Sequence, residues 1–326
     1  MRPTGVPQPT HRFQILSLDG GGIKGVFTAA LLAAIEDDLK ITIVDHFDLI
    51  AGTSTGGIIA LGLGLGLSPR EILRFYLEHG GAIFPNAGGT WNKLRHHFTR
   101  KYSHEPLQRA LKDSFKDKLF GHSTKRLVIP SYNLGDDDVY IFRTPHHERL
   151  RRDYKIPAWK VASATSAAPT YFPSFCDIDS QRLIDGGMWA NNPSMVALVE
   201  AYGPLGIPLT SIHLLSIGTT DEINDRVSTL DNAGKSGWAS QAIDVAFRGQ
   251  TIAARNQAKF LLGEQQFYRL DPAVARGAFC LDGVDRSKDL LAKAAHHSRH
   301  FAPVFQERFA GHAAPLFTPL YTQEAG

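Results

Sequence analysis

The stretch Phe47-Asp-Leu-Ile-Ala-Gly-Thr-Ser-Thr-Gly-Gly57 decides how the rest of the chain is interpreted. An apolar run typical of a buried strand ends at Gly52, and a run of small residues typical of a closely packed helix begins at Thr55. Between them, Ser54 is the centre of a G-x-S-x-G pattern, which is typical of a sharp strand-to-helix turn that exposes a serine hydroxyl. Gly52 and Gly56 are expected because side chains there would collide with neighbouring backbone. We therefore expect a nucleophilic serine, with N–H groups of the following helix directed toward it.

The composition is that of an ordinary globular protein, with 326 residues of which 43% are hydrophobic and 21% are charged. Because no linker or repeat divides the chain, we expect one domain over residues 1–326, with a motif-bearing core at about 13–220 and a mostly helical part at about 221–326. Cys176 and Cys280 form no disulfide framework and no zinc pattern. The N-terminus lacks the apolar segment of a signal peptide, and no apolar run is long enough to span a bilayer, so we expect a cytoplasmic protein.

Positive charge is concentrated in two stretches, although the formal net charge is only +3. Residues 91–126 hold ten Lys/Arg and three acids, and residues 143–160 hold six Lys/Arg and two acids. Such stretches are typical of surfaces that meet the phosphates of lipids or nucleotides, and equally of an ordinary solvated face. We expect peripheral contact with a membrane and no binding of DNA or RNA.

A second glycine-rich turn precedes the serine. The apolar run Phe13–Leu18 predicts a buried strand, which ends at Asp19-Gly-Gly-Gly-Ile-Lys-Gly25, and residues 26–39 are apolar at helical spacing. A strand, a glycine loop and a helix in this order are typical of the start of a parallel α/β sheet.

Two interpretations compete for this glycine loop. Gly20, Gly22 and Gly25 have the spacing of a dinucleotide-binding loop, and Asp45 lies twenty residues after Gly25, where a ribose-binding acid is expected. Alternatively, consecutive glycines let backbone N–H groups converge on one point and form an oxyanion hole. We favour the oxyanion hole because a nucleotide cofactor would have no use for the elbow serine.

A serine hydroxyl is a weak nucleophile and needs a neighbouring base. None of the 14 histidines sits in a motif that marks it as that base. The apolar end of the run 181–184 leads into Asp185, Gly186 and Gly187, which places a carboxylate at a strand end, where α/β sheets carry functional groups. If burial raises its pKa toward the working pH, Asp185 can accept the serine proton directly.

Other segments carry structural rather than chemical signals. Adjacent histidines point in different directions, so the doublets at 96–97, 146–147 and 296–297 are poor metal ligands. The acids at 136–138 lack the spacing of a calcium loop. We therefore expect no metal and no catalytic cofactor. Further expected elements are a capped helix from Ser68 to His79, paired strands at 126–132 and 138–143, and helices at 157–168, 237–260 and 288–309.

Three blocks, Asp19–Gly25, Gly52–Gly56 and Asp185–Gly187, resemble in order the motifs of the patatin-like phospholipase family. The resemblance covers about residues 13–220 and implies a three-layer α/β/α fold with a mostly parallel sheet and a Ser–Asp dyad. It implies Ser54 as nucleophile, Asp185 as base, and oxyanion N–H groups from Gly20, Gly21, Gly22 and Thr55. It implies motif support from Asp19, Lys24, Gly25, Gly52, Gly56, Gly186 and Gly187, with Lys24 standing where many members have an arginine.

Four further stretches are similar to one bacterial branch of the family, the cyclic-dinucleotide-activated phospholipases of anti-phage defence (CBASS effectors of the CapV type). These stretches are 124–133, 139–142, 144–147 and 164–173. This similarity implies an enzyme that is idle until a cyclic dinucleotide such as 3′,3′-cGAMP binds and that then deacylates phospholipids at the inner face of the cell membrane. It marks no nucleotide site. The basic-aromatic stretches at 91–101 and 143–155 are the places to look.

Two other functions stay open at this stage. One is a constitutive lipid acyl hydrolase without nucleotide control. The other is a nucleotide-binding module whose glycine loop holds phosphate and whose serine is structural. The number of subunits is left open, and an oligomer is compatible with each of these functions.

Overall fold

The computed structural model describes residues 12–85, 101–223, 230–234, 238 and 241–322. Within these ranges, the main sheet contains β1 (Phe13–Leu18), β2 (Leu49–Gly52), β3 (Arg126–Asn133), β4 (Asp138–Arg143), β5 (Leu183–Asp185), β6 (Ile212–Ile217) and β8 (Phe267–Leu270), while β7 (Asp221–Ile223) and β9 (Ala273–Ala275) form a separate pair. The α-helices are α1 (Gly25–Leu39), α2 (Thr55–Gly64), α3 (Pro69–Ile83), α4 (Glu105–Phe115), α5 (Ala158–Thr165), α6 (Gly187–Ala190), α7 (Ser194–Tyr202), α8 (Gln241–Leu262) and α9 (Ser287–Arg308).

The main sheet is mostly parallel, which confirms the predicted α/β class. Its order is β4-β3-β2-β1-β6-β8, with β5 paired to β3. The pairs β1–β2, β1–β6, β2–β3 and β6–β8 are parallel, whereas β4 and β5 run antiparallel to β3. The predicted pairing of 126–132 with 138–143 is confirmed by β3 and β4. Strand β8 joins this sheet from the part of the chain that was predicted to be mostly helical.

Helices cover both faces of the sheet, as the three-layer prediction requires. Leu16 and Ile50 belong to a core cluster shared with α1, α2, α3 and α9, while their neighbours Ile15 and Leu49 belong to a second cluster shared with α7 and α8. This alternation follows from the strand, in which successive side chains point to opposite faces. Because both faces are buried, the strands are apolar runs without polar alternation.

Strands β2 and β5 lie end to end along one edge of β3. Ala51 pairs with Val128, and Asp185 pairs with Ser131, three residues further along β3. Since β4 occupies the other edge of β3, β2 and β5 share the same edge and run toward each other. The carboxyl ends of these two strands therefore meet, and this is where the site lies.

Two helix boundaries differ from the prediction. Helix α3 does not end at His79 but continues through Gly80 to Ile83, because Ile83 is buried in the core and Gly80 packs against Ile23. Helix α5 ends at Thr165 and not at Ala168. The backbone leaves the helix there, so that the Ala167 carbonyl accepts a hydrogen bond from the Asp185 N–H at 3.1 Å.

The remaining helices agree more closely. Ser68 and Glu71 form the predicted capping box at the start of α3. Helices α8 and α9 lie within a few residues of the predicted helices at 237–260 and 288–309, although residues 239–240 and 235–237 lie outside the described residues. In the ranges given above, no helix combines the length and apolar character needed to cross a bilayer. The predicted candidate surface at 91–101 lies, except for Lys101, outside the described residues.

Candidate active site

Ser54 sits on the predicted elbow between β2 and α2. Its backbone has φ 55° and ψ −121°, a conformation that residues other than glycine adopt only when the surroundings enforce it. A side chain at Gly52 would collide with the backbone of Gly56, and one at Gly56 would collide with the Leu18 carbonyl. The two glycines are thus required by close backbone packing, as the sequence predicted, and the turn presents the Ser54 hydroxyl at the carboxyl end of β2.

The structure brings Asp185 into direct contact with the serine. The Ser54 hydroxyl donates a hydrogen bond to Asp185 Oδ2 at 2.6 Å, and the Gly187 N–H donates one to Asp185 Oδ1 at 2.7 Å. Gly187 lies so close to this carboxylate that a Cβ there would be 3.0 Å from Oδ1, and Gly186 packs against the Pro130 carbonyl. The D-G-G pattern therefore holds the carboxylate with one oxygen fixed by backbone and the other facing Ser54.

The environment of Asp185 suits a general base. The side chain is buried, and burial raises the pKa of its carboxyl group from 3.8 to about 6, against the lowering effect of the hydrogen bonds from Ser54 and Gly187. A base is most effective when its pKa is close to the working pH, because it is then ionised and still binds a proton well. Burial thus gives this carboxylate a basicity that it lacks in water.

Thr165, at the end of α5, fixes the backbone of Ser54. The Ser54 N–H donates to the Thr165 hydroxyl oxygen at 3.0 Å, and the Thr165 hydroxyl donates to the Pro130 carbonyl at 2.6 Å. Sequence reasoning did not assign Thr165 a role, although it lies in the stretch 164–173 that resembles the bacterial branch. Nothing in the sequence around Thr165 indicates a role in the site, because a threonine between small residues at a helix end is common.

The glycine loop lies directly against the elbow. A Cβ at Gly20 would lie 3.3 Å from the Ser54 Cβ, and Gly22 has φ +58°, a conformation that favours glycine. However, the Gly20 N–H already donates to the Asn191 carbonyl at 3.0 Å, so this structure removes it from the predicted set of oxyanion donors. Because Gly20 has no side chain, the backbone of the loop can lie close to Ser54 at this position.

Three other N–H groups remain as candidates for the oxyanion hole. Among the residues that the structure describes, no hydrogen-bond acceptor is found for the N–H groups of Gly21 and Gly22. Thr55 is the first residue of α2, where an N–H has no acceptor within its own helix. The Thr55 hydroxyl lies against Gly25, the last residue of the loop, and is hydrogen-bonded to the Tyr76 hydroxyl at 2.5 Å.

Charged residues surround the glycine loop. Arg269 of β8 donates two hydrogen bonds to Asp19, the residue that precedes the loop. Lys24 belongs to the loop itself, and its Nζ lies 3.4 Å from the Thr220 carbonyl oxygen. Burial lowers the pKa of Lys24, while nearby acids, Asp271 foremost, oppose this shift. The sequence analysis did not single out Arg269, since nothing in the strand 267–270 marks it as a partner of Asp19.

The dyad opens into a cavity of about 790 Å³. Part of its lining is apolar and comes mainly from α2, α3 and α4, with Ile58, Phe75, Tyr76, Ile83, Leu107 and Phe172. Another part is charged and comes mainly from β7, α8 and the segment after β9, with Asp221, Asp244, Arg248, Arg255 and Arg276. A cavity with both kinds of lining suits a ligand that has a long apolar chain and a polar group.

No metal chemistry is indicated within the described ranges. No group of three or more His, Cys, Asp or Glu side chains in them is arranged to hold a metal ion. His146 instead contacts Glu200 and Thr144 in the core, and His296 stacks edge-on against His297 and His300 along α9. The doublet at 96–97 lies outside the described residues.

The sequence of this chain is similar to those of known proteins. A sequence profile described as "Patatin-like phospholipase" matches residues 16–198. A "cGAMP-activated phospholipase" of Escherichia coli (strain TW11681) is 37% identical over 224 residues, which cover 65% of this chain and 63% of that protein. Proteins with the same name are 36% identical in Vibrio cholerae, covering 70% of each chain, and 30% identical in Pseudomonas aeruginosa, covering 96% of each chain.

Solved structures show a weaker likeness. The full-length ExoU in complex with SpcU from Pseudomonas aeruginosa matches with a TM-score of 0.43 and 13% identity, over 93% of this chain and 54% of that chain. The family assignment rests on the sequence matches. The matched residues 16–198 contain the glycine loop, the Ser54 elbow and the Asp185 strand end, and this chain therefore belongs to the patatin-like phospholipase family.

Proposed function

We propose that this chain is a phospholipase that releases fatty acids from membrane phospholipids through Ser54 and Asp185, and that a cyclic dinucleotide activates it in bacterial defence against phage. The observation that carries the catalytic part is the 2.6 Å hydrogen bond from the Ser54 hydroxyl to Asp185, formed on a strained elbow that faces a large, partly apolar cavity. Membership of the phospholipase family supports the same reaction class.

The proposed mechanism uses one carboxylate twice. Asp185 accepts the Ser54 proton as the serine oxygen attacks the ester carbonyl, and the N–H groups of Gly21, Gly22 and Thr55 stabilise the resulting oxyanion. The C–O bond to the glycerol oxygen then breaks, and protonated Asp185 gives its proton to the departing alcohol. Water attacks the acyl-serine, Asp185 takes one proton from that water, and the fatty acid leaves as Ser54 recovers its hydrogen.

The cavity lining supports a lipid substrate and suggests its orientation. We place the acyl chain among the apolar side chains of α2, α3 and α4, where burial of each CH₂ group contributes about 0.8 kcal/mol. The phosphate and headgroup then face the charged side chains of β7 and α8. Ser54 and the proposed oxyanion donors line the same cavity, so an ester held there can meet both.

Activation by a cyclic dinucleotide is supported by the relatives. Three proteins that are 30% to 37% identical to this chain are named cGAMP-activated phospholipases, and one of them matches 96% of the chain. We propose an activator of the 3′,3′-cGAMP type, peripheral contact with the inner face of the cell membrane, and no role in binding DNA or RNA.

The packing of the glycine loop disfavours a pure nucleotide-binding module. The loop lies against the elbow: the Cβ position of Gly20 is 3.3 Å from the Ser54 Cβ, and the loop and the Ser54–Asp185 pair line the same cavity. A loop that only held phosphate would need neither the serine nor the carboxylate hydrogen-bonded to it.

One assay tests both parts of the proposal. Fatty-acid release from vesicles of phosphatidylethanolamine and phosphatidylglycerol is measured with and without 3′,3′-cGAMP, for the wild type and Ser54→Ala. We expect release by the wild type only when the nucleotide is present, and none by Ser54→Ala. Equal release with and without nucleotide would reduce the proposal to a constitutive hydrolase. No release under either condition, together with no fluorophosphonate labelling of Ser54, would remove the enzymatic part.

A further inference from the structure

An arginine from outside the family-matched region holds the residue that begins the glycine loop. Arg269 lies on β8, beyond the matched residues 16–198, and is 250 residues from Asp19 in sequence. Its Nη1 donates to Asp19 Oδ1 at 2.8 Å and its Nη2 donates to Asp19 Oδ2 at 2.6 Å. The side chains of Arg269 and Asp19 are only 9% and 4% exposed. This bidentate pair fixes orientation as well as distance, because both donors lie in one planar group.

The arginine is itself held on its other side. Arg269 and Ser216 are paired in adjacent strands, and Arg269 Nη1 donates to the Ser216 hydroxyl at 2.7 Å. Nη2 also donates to Asp271 Oδ2 at 2.6 Å, while Asp271 Oδ1 accepts the Thr220 N–H at 3.1 Å. The guanidinium group is thus hydrogen-bonded to residues at the carboxyl ends of β6 and β8. Through these contacts it holds Asp19 in a fixed position relative to the sheet.

The position of Asp19 bears directly on the reacting groups. Asp19 is followed by Gly20, whose Cβ position is 3.3 Å from the Ser54 Cβ, and by Gly21 and Gly22, which carry candidate oxyanion N–H groups. Catalysis by such donors is sensitive to placement, and a shift of about 1 Å can lower the rate by about 10²-fold. A rigid attachment of Asp19 therefore has a catalytic consequence beyond stability.

A purely stabilising ion pair is the competing explanation, and the chemistry of the cluster argues against it. Two carboxylates, buried Asp19 and partly exposed Asp271, share one guanidinium group, and burial raises the pKa of Asp19 to about 6 despite the arginine. Removing charged groups from water is expensive, and a buried ion pair is often no more stabilising than apolar side chains of the same volume. In this cluster the ion pair therefore serves to fix the position and orientation of Asp19 rather than to stabilise the fold.

We propose that Arg269 is a positioning residue of this active site: through the bidentate contact with Asp19, the Asp19–Arg269 clamp, it holds the glycine loop where the N–H groups of Gly21 and Gly22 face Ser54. This inference rests on the proposed hydrolase function and adds a residue from the C-terminal part of the chain to its machinery.

Four variants separate positioning from general stability. Arg269→Lys keeps a positive charge but cannot form the bidentate contact, and Arg269→Met removes the contact altogether. Asp19→Asn removes the negative charge with which Arg269 pairs. His312→Leu is the matched control, because His312 Nε2 lies 2.7 Å from Oδ2 of buried Asp48, the two side chains are 11% and 4% exposed, and neither residue lines the cavity. Steady-state hydrolysis of p-nitrophenyl butyrate, a soluble ester, measures kcat and KM without a membrane, with 3′,3′-cGAMP added to every reaction.

For the clamp variants we expect kcat to fall and KM to change little. The expected loss in kcat is about 10-fold for Arg269→Lys and about 10²-fold for Arg269→Met, with KM within about 2-fold. Adding Asp19→Asn to Arg269→Met should lower kcat no further, because both changes remove the same contact. Wild-type kcat in Arg269→Lys, losses that multiply in the double variant, or an equal loss of kcat in His312→Leu would overturn the proposal.

Hydrogen exchange provides a readout that does not depend on the reaction. Amide exchange in residues 19–25 should accelerate in Arg269→Lys and Asp19→Asn. Exchange in the core strands of these variants, and in residues 19–25 of His312→Leu, should stay at the wild-type rate. If the wild-type chain hydrolyses neither ester nor phospholipid, the proposed function fails, whereas faster exchange confined to 19–25 still supports the clamp. Unchanged exchange in this segment of Arg269→Lys would overturn it, whatever the activity.

Discussion

The Ser54 hydroxyl and the Asp185 carboxylate meet at 2.6 Å although 131 residues separate them in the sequence. The contact follows from strand direction. β2 delivers Ser54 along one edge of β3, and the antiparallel strand β5 delivers Asp185 along the same edge from the opposite side. The carboxylate contacts the Ser54 hydroxyl directly, so no histidine lies between the two. The basicity of the site therefore depends on how strongly the fold desolvates Asp185.

Replacing the base should separate activity from stability. Asp185→Asn is expected to lower ester hydrolysis by at least about 10²-fold, because an amide cannot accept the serine proton. The same change should stabilise the fold at pH 7 by up to about 3 kcal/mol, since burial raises the Asp185 pKa from 3.8 to about 6 and the amide carries no charge. Urea unfolding at pH 7 measures the second effect. Ser54→Ala is the control that loses activity without this gain, and an active or less stable Asp185→Asn enzyme would contradict the assignment.

The pH dependence of activity and of stability should have opposite signs in the acid range. Proton acceptance requires ionised Asp185, so kcat/KM should fall about tenfold per pH unit below about pH 6. Because the folded pKa is raised, the buried charge destabilises the fold above pH 6, and this penalty disappears as the pH falls from about 6 toward 3.8.

Two measurements check this pH prediction. The stability difference between the wild type and Asp185→Asn should shrink to near zero by about pH 4, as unfolding at several pH values will show. Burial also raises the pKa of Asp19 to about 6, so the kcat/KM profile is recorded for Asp19→Asn as well. The fall in kcat/KM near pH 6 should persist in that variant. If this fall is absent from the Asp19→Asn profile, it reports the titration of Asp19 and not of Asp185.

Thr165 should matter for rate more than for substrate binding. Thr165→Val keeps the shape but leaves the Ser54 N–H and the Pro130 carbonyl without their partner, which costs about 1–3 kcal/mol of stability. We expect kcat to fall about 10-fold with KM unchanged, because the elbow backbone loses the contact that orients it. Thr165→Ser restores the hydroxyl and should recover most of the rate. A Thr165→Val enzyme with wild-type kcat would show that the elbow holds its geometry alone.

Two glycine-to-alanine changes should act in opposite directions. A methyl group at Gly52 collides with the Gly56 backbone, so Gly52→Ala should destabilise the fold by about 1–3 kcal/mol and displace the nucleophile. Gly81 lies inside α3 with no atom within 4 Å of its Cβ position, so Gly81→Ala should stabilise by about 0.5–1 kcal/mol and leave activity unchanged. Thermal unfolding and ester hydrolysis of both variants check this contrast. Equal effects would contradict the close packing of the elbow.

The boundary of α3 shows where local patterns stop being informative. Gly80 and Gly81 predict the end of a helix, because glycine disfavours helical backbone, yet α3 continues to Ile83. Burial of Ile83 and the fit of Gly80 against Ile23 outweigh that local preference. Similarly, the small residues at 166–168 predict that helix α5 continues, but the Ala167 carbonyl instead accepts a hydrogen bond from the Asp185 N–H. In both places a contact from a distant part of the chain decided the backbone.

By itself, the sequence determined the α/β class, the elbow at Ser54, the glycine loop and the identity of Asp185, because each depends on a local backbone requirement that only a few residue types satisfy. Only the tertiary structure decided which groups complete the site. It assigned the Gly20 N–H to Asn191, the Ser54 N–H to Thr165 and the Asp19 carboxylate to Arg269. These partners lie 111 to 250 residues away from Ser54 and Asp19, and the order of strands in the sheet, which no local pattern encodes, brings them together.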